Sequence, residues 1–413
     1  MGATAGRARR ASVASVSGMQ AEHRCPSPFG EIELQRALAD HTGTLQAWDG
    51  ADLLLLDHVS ALVAKGEVAP NARVLVVGDS FGALSVSLSA YEPFVLSDSV
   101  VAEKAIEANH RRNSTAHEPK FVDSVLDAGS LAAAIGGPVD LVVWNVSRTT
   151  ELVTHVASML SAISHANTIV LAAGLDKNLP PRTADILRSV GQVTTHPGRR
   201  KAHLFEGRTF EGFDSFRVLA APERPSVSIP EHDLTLVGGP GVFSSDRFDL
   251  GSRLIAAEIP TRAEGFGVAR EVVDLGCGNG VLGIIALREF PEATVHFLDD
   301  SRTAVETARR NVAVNATAMS DRAAFTCANV FGDDWSAPID LVLCNPPFHH
   351  TKAMSDEVAW QMFVQSHRHL APGGEIWVVG NRHLGYHAKL TKVFGNVRQL
   401  STHPKFVVLA ATR

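Results

Sequence analysis

Four consecutive residues, Asn345-Pro346-Pro347-Phe348, follow an apolar run at 341–344 that predicts a buried strand. Each proline ring fixes its own φ angle, and Pro346 also restricts Asn345 to an extended backbone. The side-chain oxygen of Asn345 and the carbonyl oxygen of Pro346 are therefore predicted to form a fixed pair of hydrogen-bond acceptors. Phe348 adds a ring that can stack on a planar group. The pattern indicates a site for a flat molecule that carries an amine.

An exocyclic amine on a purine is a weak nucleophile because its lone pair is delocalised into the ring. Two acceptors that bind both N–H groups favour a more pyramidal nitrogen, which can attack a methyl group. No strong general base is needed, since the amine loses its proton after transfer, and catalysis rests on alignment of the reacting atoms. His349 and His350 follow directly and are candidates for proton removal, for phosphate contact, or for a solvated loop.

A second segment, DLGCGNGVLG at 274–283, follows another predicted strand and begins a helix. Its glycines allow positive φ angles and close approach of a ligand to the backbone, while the helix start offers free N–H groups. The run also satisfies GxGxxG from Gly278 through Gly283, so a dinucleotide site is an open alternative. The loop residues expected to contact a cofactor are Gly276, Cys277, Gly278 and Gly280, with Cys277 a small loop residue and not a nucleophile.

Acidic and amide side chains near this loop favour S-adenosylmethionine as the cofactor. Asp274 precedes the loop, where a carboxylate suits a cationic amino-acid group and would repel a pyrophosphate. Asp299 ends the next predicted strand and is placed to accept hydrogen bonds from ribose hydroxyls, and its neighbour Asp300 is the alternative. The loop at 327–331, with Asn329 and Val330, is expected to reach the adenine.

The segments that position these residues occur twice in the chain. REVVDLGCGNGVLGIIAL at 270–287 has a counterpart in ARVLVVGDSFGALSVSL at 72–88, FLDDSRTAVETARRNVAVN in VLSDSVVAEKAIEANHRRN, and IDLVLCNPPF in VDLVVWNVSR. Because the matches keep their order, the chain is a duplication. Strands alternate with helices in each half, which predicts a parallel sheet covered on both faces and an α/β fold of two tandem Rossmann-like domains.

Several element and boundary predictions follow. The helix at 281–289, the strand at 294–299 and a helix capped by Ser301 surround the glycine loop, and KFVVLAATR at 405–413 is expected to be an edge strand. Residues 206–240 contain a Pro-rich stretch that is typical of a linker. The predicted units are a disordered basic tail at 1–28, a first domain at 29–225 and a second at 226–413.

Composition limits the partners of the protein. The 413 residues carry a formal net charge of −6, so an RNA partner would need a local basic surface. The four cysteines form no CxxC pair and no zinc spacing, which favours a reducing compartment and no metal. No apolar run approaches the ~20 residues that cross a bilayer. We therefore expect a cytoplasmic monomer with no membrane contact.

Together these segments resemble the bacterial ribosomal RNA guanine-N2 methyltransferases, closely over 249–413 and more loosely in the first half. Supporting motifs are GGPGVFSSDRFDLGSRLI, VDLGCGNGVLG, CNPPFHH, SDEVAWQMF, GNRHLGYHAKLTKVFGN and THPKFVVLAATR. In that family two methyltransferase-like domains occur in tandem and only the C-terminal one keeps the cofactor site. The resemblance implies cofactor contacts at Asp274, Gly276, Gly278, Asp299 and Asn329, with residues 345–348 around a target guanine.

The resemblance favours the branch that acts on 23S ribosomal RNA, with the 16S branch as the alternative. In the first half Val76 replaces Asp274 and NVSR replaces NPPF, so no methyl transfer is expected there. That half is predicted to bind RNA through basic residues, namely Arg111, Arg112, Arg199, Arg200, Lys201 and Arg208. The target guanine is expected in a loop or flipped out of a helix.

Three other functions remain open at this level. Methylation of protein glutamine or of adenine N6 would use a related tetrapeptide that ends in tyrosine, and the tandem inactive domain argues against it. A non-catalytic RNA-binding factor could have inherited the fold. A nicotinamide-dependent oxidoreductase would use the same glycine pattern.

Overall fold

A computed structural model describes residues 23–37, 45–125, 127–189, 191–208, 226–244, 247–332, 335–347 and 352–413. The helices are α1 Gly50–Ala64, α2 Ala83–Ser87, α3 Val100–Arg112, α4 Ala128–Ile135, α5 Thr150–Ile163, α6 Thr183–Arg188, α7 Leu250–Phe266, α8 Val281–Glu289, α9 Arg302–Asn315, α10 Lys352–His369 and α11 Tyr386–Phe394. None of the helices in these ranges has the length and apolar character needed to cross a membrane.

The strands fall into two series. Those of the first half are β1 Arg24–Ser27, β2 Gly30–Glu33, β3 Val74–Val77, β4 Phe94–Ser97, β5 Lys120–Asp123, β6 Val139–Asn145, β7 Ser164–Leu175, β8 Gln192–Arg199 and β9 Ala202–Arg208. Those of the second half are β10 Ser226–Ile229, β11 Leu234–Val237, β12 Glu271–Leu275, β13 Thr294–Asp299, β14 Ala323–Cys327, β15 Ile339–Cys344, β16 Leu370–Asn381, β17 Arg398–Thr402 and β18 Phe406–Thr412.

Both halves build the same seven-stranded sheet. The strand orders are β5-β4-β3-β6-β7-β9-β8 and β14-β13-β12-β15-β16-β18-β17, which match position by position. Strands β9 and β18 run antiparallel to their neighbours, and the other pairings among the first five strands of each sheet are parallel. Apolar central strands such as Val74–Val77 are buried throughout because helices cover both faces. The predicted α/β fold with two tandem Rossmann-like domains is confirmed.

The predicted position of one strand was wrong. Strand β18 was expected at the sheet edge, but it lies between β16 and β17, and β17 forms the edge. The burial of the two strands gives the reason, since β18 has four consecutive buried residues and β17 has none. The predicted helix at 281–289, the strand at 294–299 and the Ser301 cap, which accepts a hydrogen bond from the Ala304 N–H at 3.0 Å, are confirmed.

A two-stranded hairpin precedes each sheet, β1-β2 in the first half and β10-β11 in the second. Strand β1 lies within the range 1–28 that was expected to be a tail, and its Cys25 is fully buried. Strands β10 and β11 likewise lie within the expected linker at 206–240, so that segment contains ordered structure. Residues 1–22 and 209–225 lie outside the described part of the chain.

In each half, asparagines at equivalent positions hydrogen-bond the hairpin to a helix. Asn113, which directly follows α3, accepts a hydrogen bond from the Glu33 N–H and donates one to the Glu33 carbonyl, both at 2.8 Å. Asn315 of α9 binds Thr235 in the same way, at 2.8 and 2.9 Å. One helical turn earlier, Asn109 binds Gln35 and Asn311 binds Val237. The repeated unit is therefore hairpin, helix and sheet together.

The two domains meet at the starts of the equivalent helices α3 and α9. Asp98 of the first domain accepts hydrogen bonds from the Ser301 hydroxyl at 2.5 Å and from the Thr303 N–H at 2.8 Å. Its carboxylate therefore caps the first turn of α9, where free N–H groups and the helix dipole favour a negative charge.

Asp300 of the second domain makes the reciprocal contact. It accepts hydrogen bonds from the Ser99 hydroxyl at 2.6 Å and from the Val101 N–H at 2.8 Å, at the start of α3. An ion pair between Arg302 and Glu103 lies beside it. Because each domain caps a helix of the other, the two equivalent contacts form a local two-fold interface. This interface lies next to β13, which ends at the predicted cofactor residue Asp299.

Candidate active site

The predicted site residues of the second domain gather at the carboxyl ends of three adjacent strands. Strand β12 lies between β13 and β15, with Asp274 opposite Phe297 on one side and Leu343 on the other. The glycine loop after β12, Asp299 at the end of β13 and Asn345 after β15 therefore share one edge. In parallel α/β sheets this edge is where ligands bind.

The glycine loop has the backbone that its sequence predicts. Gly276, Gly278 and Gly280 adopt φ angles of 73°, 53° and 81°. A Cβ atom at Gly280 would lie 2.9 Å from the Ala308 Cβ, so this glycine permits close packing of the loop on α9. A Cβ atom at Gly278 would meet no atom within 4 Å, so the backbone there faces open space. The loop thus presents the start of α8 to a ligand.

Asp274 is almost fully buried beneath the loop. Its Oδ2 atom accepts a hydrogen bond from the Gly283 N–H at 2.9 Å, in the first turn of α8. Burial is the main cause that raises the pKa of this carboxyl to about 8; the Gly283 hydrogen bond opposes the shift, and the charge of Asp299 adds to it. A bound cation would favour the ionised form, which fits the cationic amino-acid group expected from the sequence.

The structure separates the roles of the two adjacent aspartates. Asp299 accepts hydrogen bonds from the Gly278 N–H and from the Ser301 N–H, both at 3.0 Å, and so faces the glycine loop. Burial raises the pKa of its carboxyl to about 6. Asp300 directs its carboxylate to the first domain at Ser99 and Val101. Of the two alternatives, Asp299 is the one that lies against the glycine loop.

The turn after β14 lies one strand further along the same edge. The Ala328 N–H donates to the Asp299 carbonyl at 2.9 Å, and the Gly332 N–H donates to the Asn329 carbonyl at 3.0 Å. Val330 adopts a φ angle of 58°, which is costly for a β-branched residue and tends to occur at functional sites. Asn329 is exposed beside it.

Cys277 is buried inside the loop. Burial, together with the charges of Asp299 and Asp274, raises the pKa of its thiol well above the ordinary value. The thiolate is therefore not available at neutral pH, in agreement with the prediction that this residue is no nucleophile.

Asn345 has a fixed orientation that the sequence did not reveal. Its Nδ2 atom donates a hydrogen bond to the Ser252 hydroxyl at 3.0 Å, in the first turn of α7. Within the described residues no donor contacts the Oδ1 atom of Asn345, which lies 3.7 Å from the position that a Cβ of Gly251 would occupy. The amide is thus held with its oxygen available as an acceptor.

Asp249 holds the start of α7 beside this amide. Its Oδ1 atom accepts hydrogen bonds from the Gly251 N–H at 2.8 Å and from the Ser252 N–H at 3.2 Å. The sequence contained a signal for this arrangement, since Asp is a typical N-cap residue directly before a helix. Pro346 is buried, Pro347 is half-buried, and Phe348, His349 and His350 lie outside the described residues.

Ser252 gives a testable prediction for catalysis. Changing Ser252 to alanine should lower kcat roughly 10-fold, because loss of one neutral hydrogen bond frees the amide to rotate. The affinity for cofactor should change little, and Ser252→Thr should restore most of the rate because it keeps the hydroxyl. Steady-state kinetics with cofactor titration by calorimetry would measure both. Equal losses in the alanine and threonine variants would contradict this role.

The equivalent edge of the first domain has lost these features. Register places Val76 at the position of Asp274, and Ser97 stands where the second domain has Asp299. Asp79, at the position of Cys277, accepts hydrogen bonds from the Gly82 N–H at 2.7 Å and the Ser85 N–H at 2.8 Å. Ser85 corresponds to Gly283, so Asp79 contacts the helix N–H that Asp274 contacts in the second domain, while the strand position itself carries Val76.

A cleft of about 470 Å³ lies elsewhere, at the amino ends of the strands of the second sheet. Its lining includes Asp340, near the start of β15, and Gly373, near the start of β16, whereas Asn345 follows the end of β15. We assign the chemistry to the carboxyl edge because the polar groups converge there.

Comparison with known proteins agrees with this geometry. The Methyltransferase small domain model matches residues 233–410, and the RLMG N-terminal domain model matches residues 22–211. A protein of Pseudoalteromonas translucida (strain TAC 125) named Ribosomal RNA large subunit methyltransferase G is 37% identical over 377 residues, covering 90% of this chain and 92% of that protein. A protein of the same name from Pseudomonas paraeruginosa (strain DSM 24068 / PA7) is 36% identical over 401 residues, covering 93% and 98%.

A solved structure shares the whole fold. The T. thermophilus 16S rRNA N2 G1207 methyltransferase, in complex with AdoMet and guanosine, superposes with a TM-score of 0.70 at 21% identity. The similarity covers 94% of this chain and 97% of that protein, so both domains and their arrangement along the chain are common to the two.

Proposed function

The chain belongs to the ribosomal RNA large subunit methyltransferase G family, and we propose that it methylates the exocyclic N2 amine of a guanine in 23S ribosomal RNA. S-adenosylmethionine is the cofactor, and the second domain is the catalytic one. The observation that carries this proposal is the orientation of Asn345, whose amide oxygen is left free by the bond from Nδ2 to Ser252.

The residues around the glycine loop fit this cofactor. Gly278 leaves open space over the backbone, Asp299 lies beside it, and the buried carboxyl of Asp274 would gain from a nearby cation. We propose that the adenosyl group is held by Asp299, Asn329 and Val330, and the amino-acid group by the loop at 276–280. When bound, S-adenosylmethionine supplies an electrophilic methyl group.

Asn345 and Pro346 would receive the target amine. The Oδ1 atom of Asn345 and the carbonyl oxygen of Pro346 accept the two N–H groups, which orients the nitrogen lone pair. Phe348 would stack on the base, with Pro347 fixing the backbone between them. Since a base inside a helix cannot reach this edge, the guanine must lie in a loop or be flipped out.

The alternative substrate is 16S ribosomal RNA, which the T. thermophilus structural relative acts on by its title. Two relatives covering most of the chain carry the large-subunit name, and we therefore favour 23S. Tritium transfer from labelled cofactor to purified 23S and 16S RNA, followed by nucleoside analysis, tests the choice. We expect N2-methylguanosine from 23S RNA. Label in 16S RNA, in adenine or in protein would overturn the assignment.

The first domain is proposed to bind RNA through the β8-β9 turn. Arg200 and Lys201 form this turn with φ angles of 55° and 59° and are exposed, as is Arg199. Arg200 also pairs with Asp57 at 3.1 Å. The turn adjoins the end of β7, so it lies at the carboxyl edge of its sheet.

Arg208 and Arg112, which were also predicted to bind RNA, have partners within the fold. Arg208 pairs with Glu206 and Glu67, both at 2.6 Å, and Arg112 donates to the Gln35 side chain at 2.7 Å. They therefore stabilise the fold, and we retain the turn as the proposed RNA contact.

Reversal of charge at Arg199, Arg200 and Lys201 to glutamate should weaken RNA binding by roughly 10-fold or more and flatten its salt dependence. Each phosphate contact releases counterions, so losing three should lower the salt slope by about two to three. Binding measured across a salt series tests this. Lys65→Glu, at the exposed end of α1, is a control away from the turn and should leave the slope nearly unchanged. An unaltered slope in the triple variant would remove the turn from the interface.

A further inference from the structure

Two histidines and a glutamate converge in the first domain, away from the methyltransferase site. The Nε2 atoms of His58 and His196 each lie 3.0 Å from the same atom, Oε2 of Glu206. The two rings meet edge to face, with centroids 4.5 Å apart. One ligand atom from each residue lies within 4.8 Å of the others.

We propose that these three residues form a binding site for a divalent transition-metal ion, with Zn²⁺ as the best fit. Two imidazoles and a carboxylate are a preferred donor set for zinc. Bonds of about 2.0–2.2 Å in tetrahedral geometry place neighbouring ligand atoms roughly 3.3 Å apart. The two observed distances of 3.0 Å between a histidine Nε2 and Glu206 Oε2 are each about 0.3 Å below this spacing. Three protein ligands would leave the fourth tetrahedral position to water.

The surroundings of Glu206 suit a metal ligand. Its other oxygen, Oε1, accepts a hydrogen bond from Arg208 at 2.6 Å, and Arg208 also binds Glu67. Ligating carboxylates are commonly held by such outer contacts. Although burial opposes ionisation, hydrogen bonds from Arg208, His58 and His196 lower the pKa of Glu206 to about 2, so the ligand is a carboxylate at neutral pH.

Partial burial separates this cluster from ordinary surface histidines. The side chains of His58, His196 and Glu206 are 22%, 29% and 12% exposed. In the metal-free protein both rings use Oε2 as an acceptor. An ion would replace those two hydrogen bonds with coordinate bonds, with the ring protons moved to Nδ1.

The site would join two elements that are distant in the sequence. His58 lies at the middle of α1, whereas His196 and Glu206 lie on β8 and β9, the outermost hairpin of the sheet. A bound ion would therefore fix the hairpin whose turn carries Arg199, Arg200 and Lys201. The sequence-based expectation of no metal rested on cysteine spacing. Cysteine spacing gives no information about a cluster of histidines and a glutamate that are up to 148 residues apart in the chain.

Calorimetric titration of the chelator-treated full-length protein with Zn²⁺ tests the site. We expect saturable binding of one ion per chain, weakened roughly 100-fold or more in His58→Ala and His196→Ala. Mutation of a residue that only hydrogen-bonds to a metal ligand lowers metal affinity about 10- to 100-fold, so removal of a ligand itself should lower it at least as much. His203→Ala is the matched control, because His203 lies on the same hairpin, pairs with Asp176 at 2.6 Å and is not part of the cluster. It should bind Zn²⁺ like the unaltered protein.

A second measurement keeps the test independent of the stability of the variants. Co²⁺ in the unaltered protein should give the visible absorption bands of a four-coordinate ion, and addition of Zn²⁺ should remove them. No saturable binding, no such bands, or equal affinity in a His58→Ala/His196→Ala double variant would overturn the proposal. Since none of these readouts involves methyl transfer, the result does not depend on the proposed function.

Discussion

Replacing Asn345 with alanine is expected to lower kcat for methyl transfer on the order of 100- to 1,000-fold, a loss comparable to that of a preorganised transition-state hydrogen bond. The amide oxygen of Asn345 is held in place by the bond from Nδ2 to Ser252, so the variant loses an aligned acceptor. Cofactor affinity should change little, because Asp299 and the glycine loop remain. Single-turnover transfer and calorimetric titration of cofactor separate the two effects.

The duplication supplies a matched control for this variant. Asn145 occupies the equivalent position in the first domain, where its Nδ2 atom donates to Asp52 at 2.7 Å. Asn145→Ala removes a comparable side chain and hydrogen bond but should leave kcat unchanged. Near-normal transfer in Asn345→Ala, or equal loss in both variants, would contradict the catalytic assignment.

The second large effect is expected at Asp299. Asp299→Asn should weaken cofactor binding roughly 10- to 100-fold, the range given by hydrogen bonds to a charged group. Asp300→Asn is the control, since both of its oxygens contact the first domain at Ser99 and Val101. It should lower Tm with little effect on cofactor affinity. A larger loss of affinity in Asp300→Asn would reverse the assignment of the two residues.

The same carboxyl predicts a pH dependence. Burial raises the pKa of Asp299 to about 6, so its carboxylate protonates as the pH falls through 6 and loses acceptor capacity. Cofactor affinity should therefore fall below about pH 6, and this fall should be absent in Asp299→Asn. The effect of Asp299 on the free energy of unfolding has the opposite pH dependence. The pKa of Asp299 in the folded protein is higher than its value of about 3.9 in the unfolded chain. Its stabilising contribution is therefore present at low pH and is lost as the pH rises through 6.

Sequence patterns predicted the fold and singled out the residues of the candidate site. Ordered matches between the halves predicted two equivalent sheets, because a repeated strand-helix order repeats its packing. The glycine spacing predicted the loop, and the sequence placed Asp274, Asp299 and Asn345 each at the end of a predicted strand. These features are local or follow from parallel pairing, so the sequence suffices for them. The hairpins within the expected tail and linker were not predicted, because the hydrogen bonds that hold them come from Asn113 and Asn315, which are distant in the chain.

Only the tertiary structure decided which partner each side chain meets. Asp299 and Asp300 are neighbours of the same type, yet the interdomain contact takes Asp300 and leaves Asp299 on the loop. Strand β18 lies inside the sheet because β17 pairs with its outer edge, and no local pattern encodes that pairing. The Ser252 contact that orients Asn345 joins residues 93 positions apart, and the His58–Glu206 contact joins residues 148 apart. Such contacts depend on how helices pack against sheets, and that packing is fixed only when the whole chain folds.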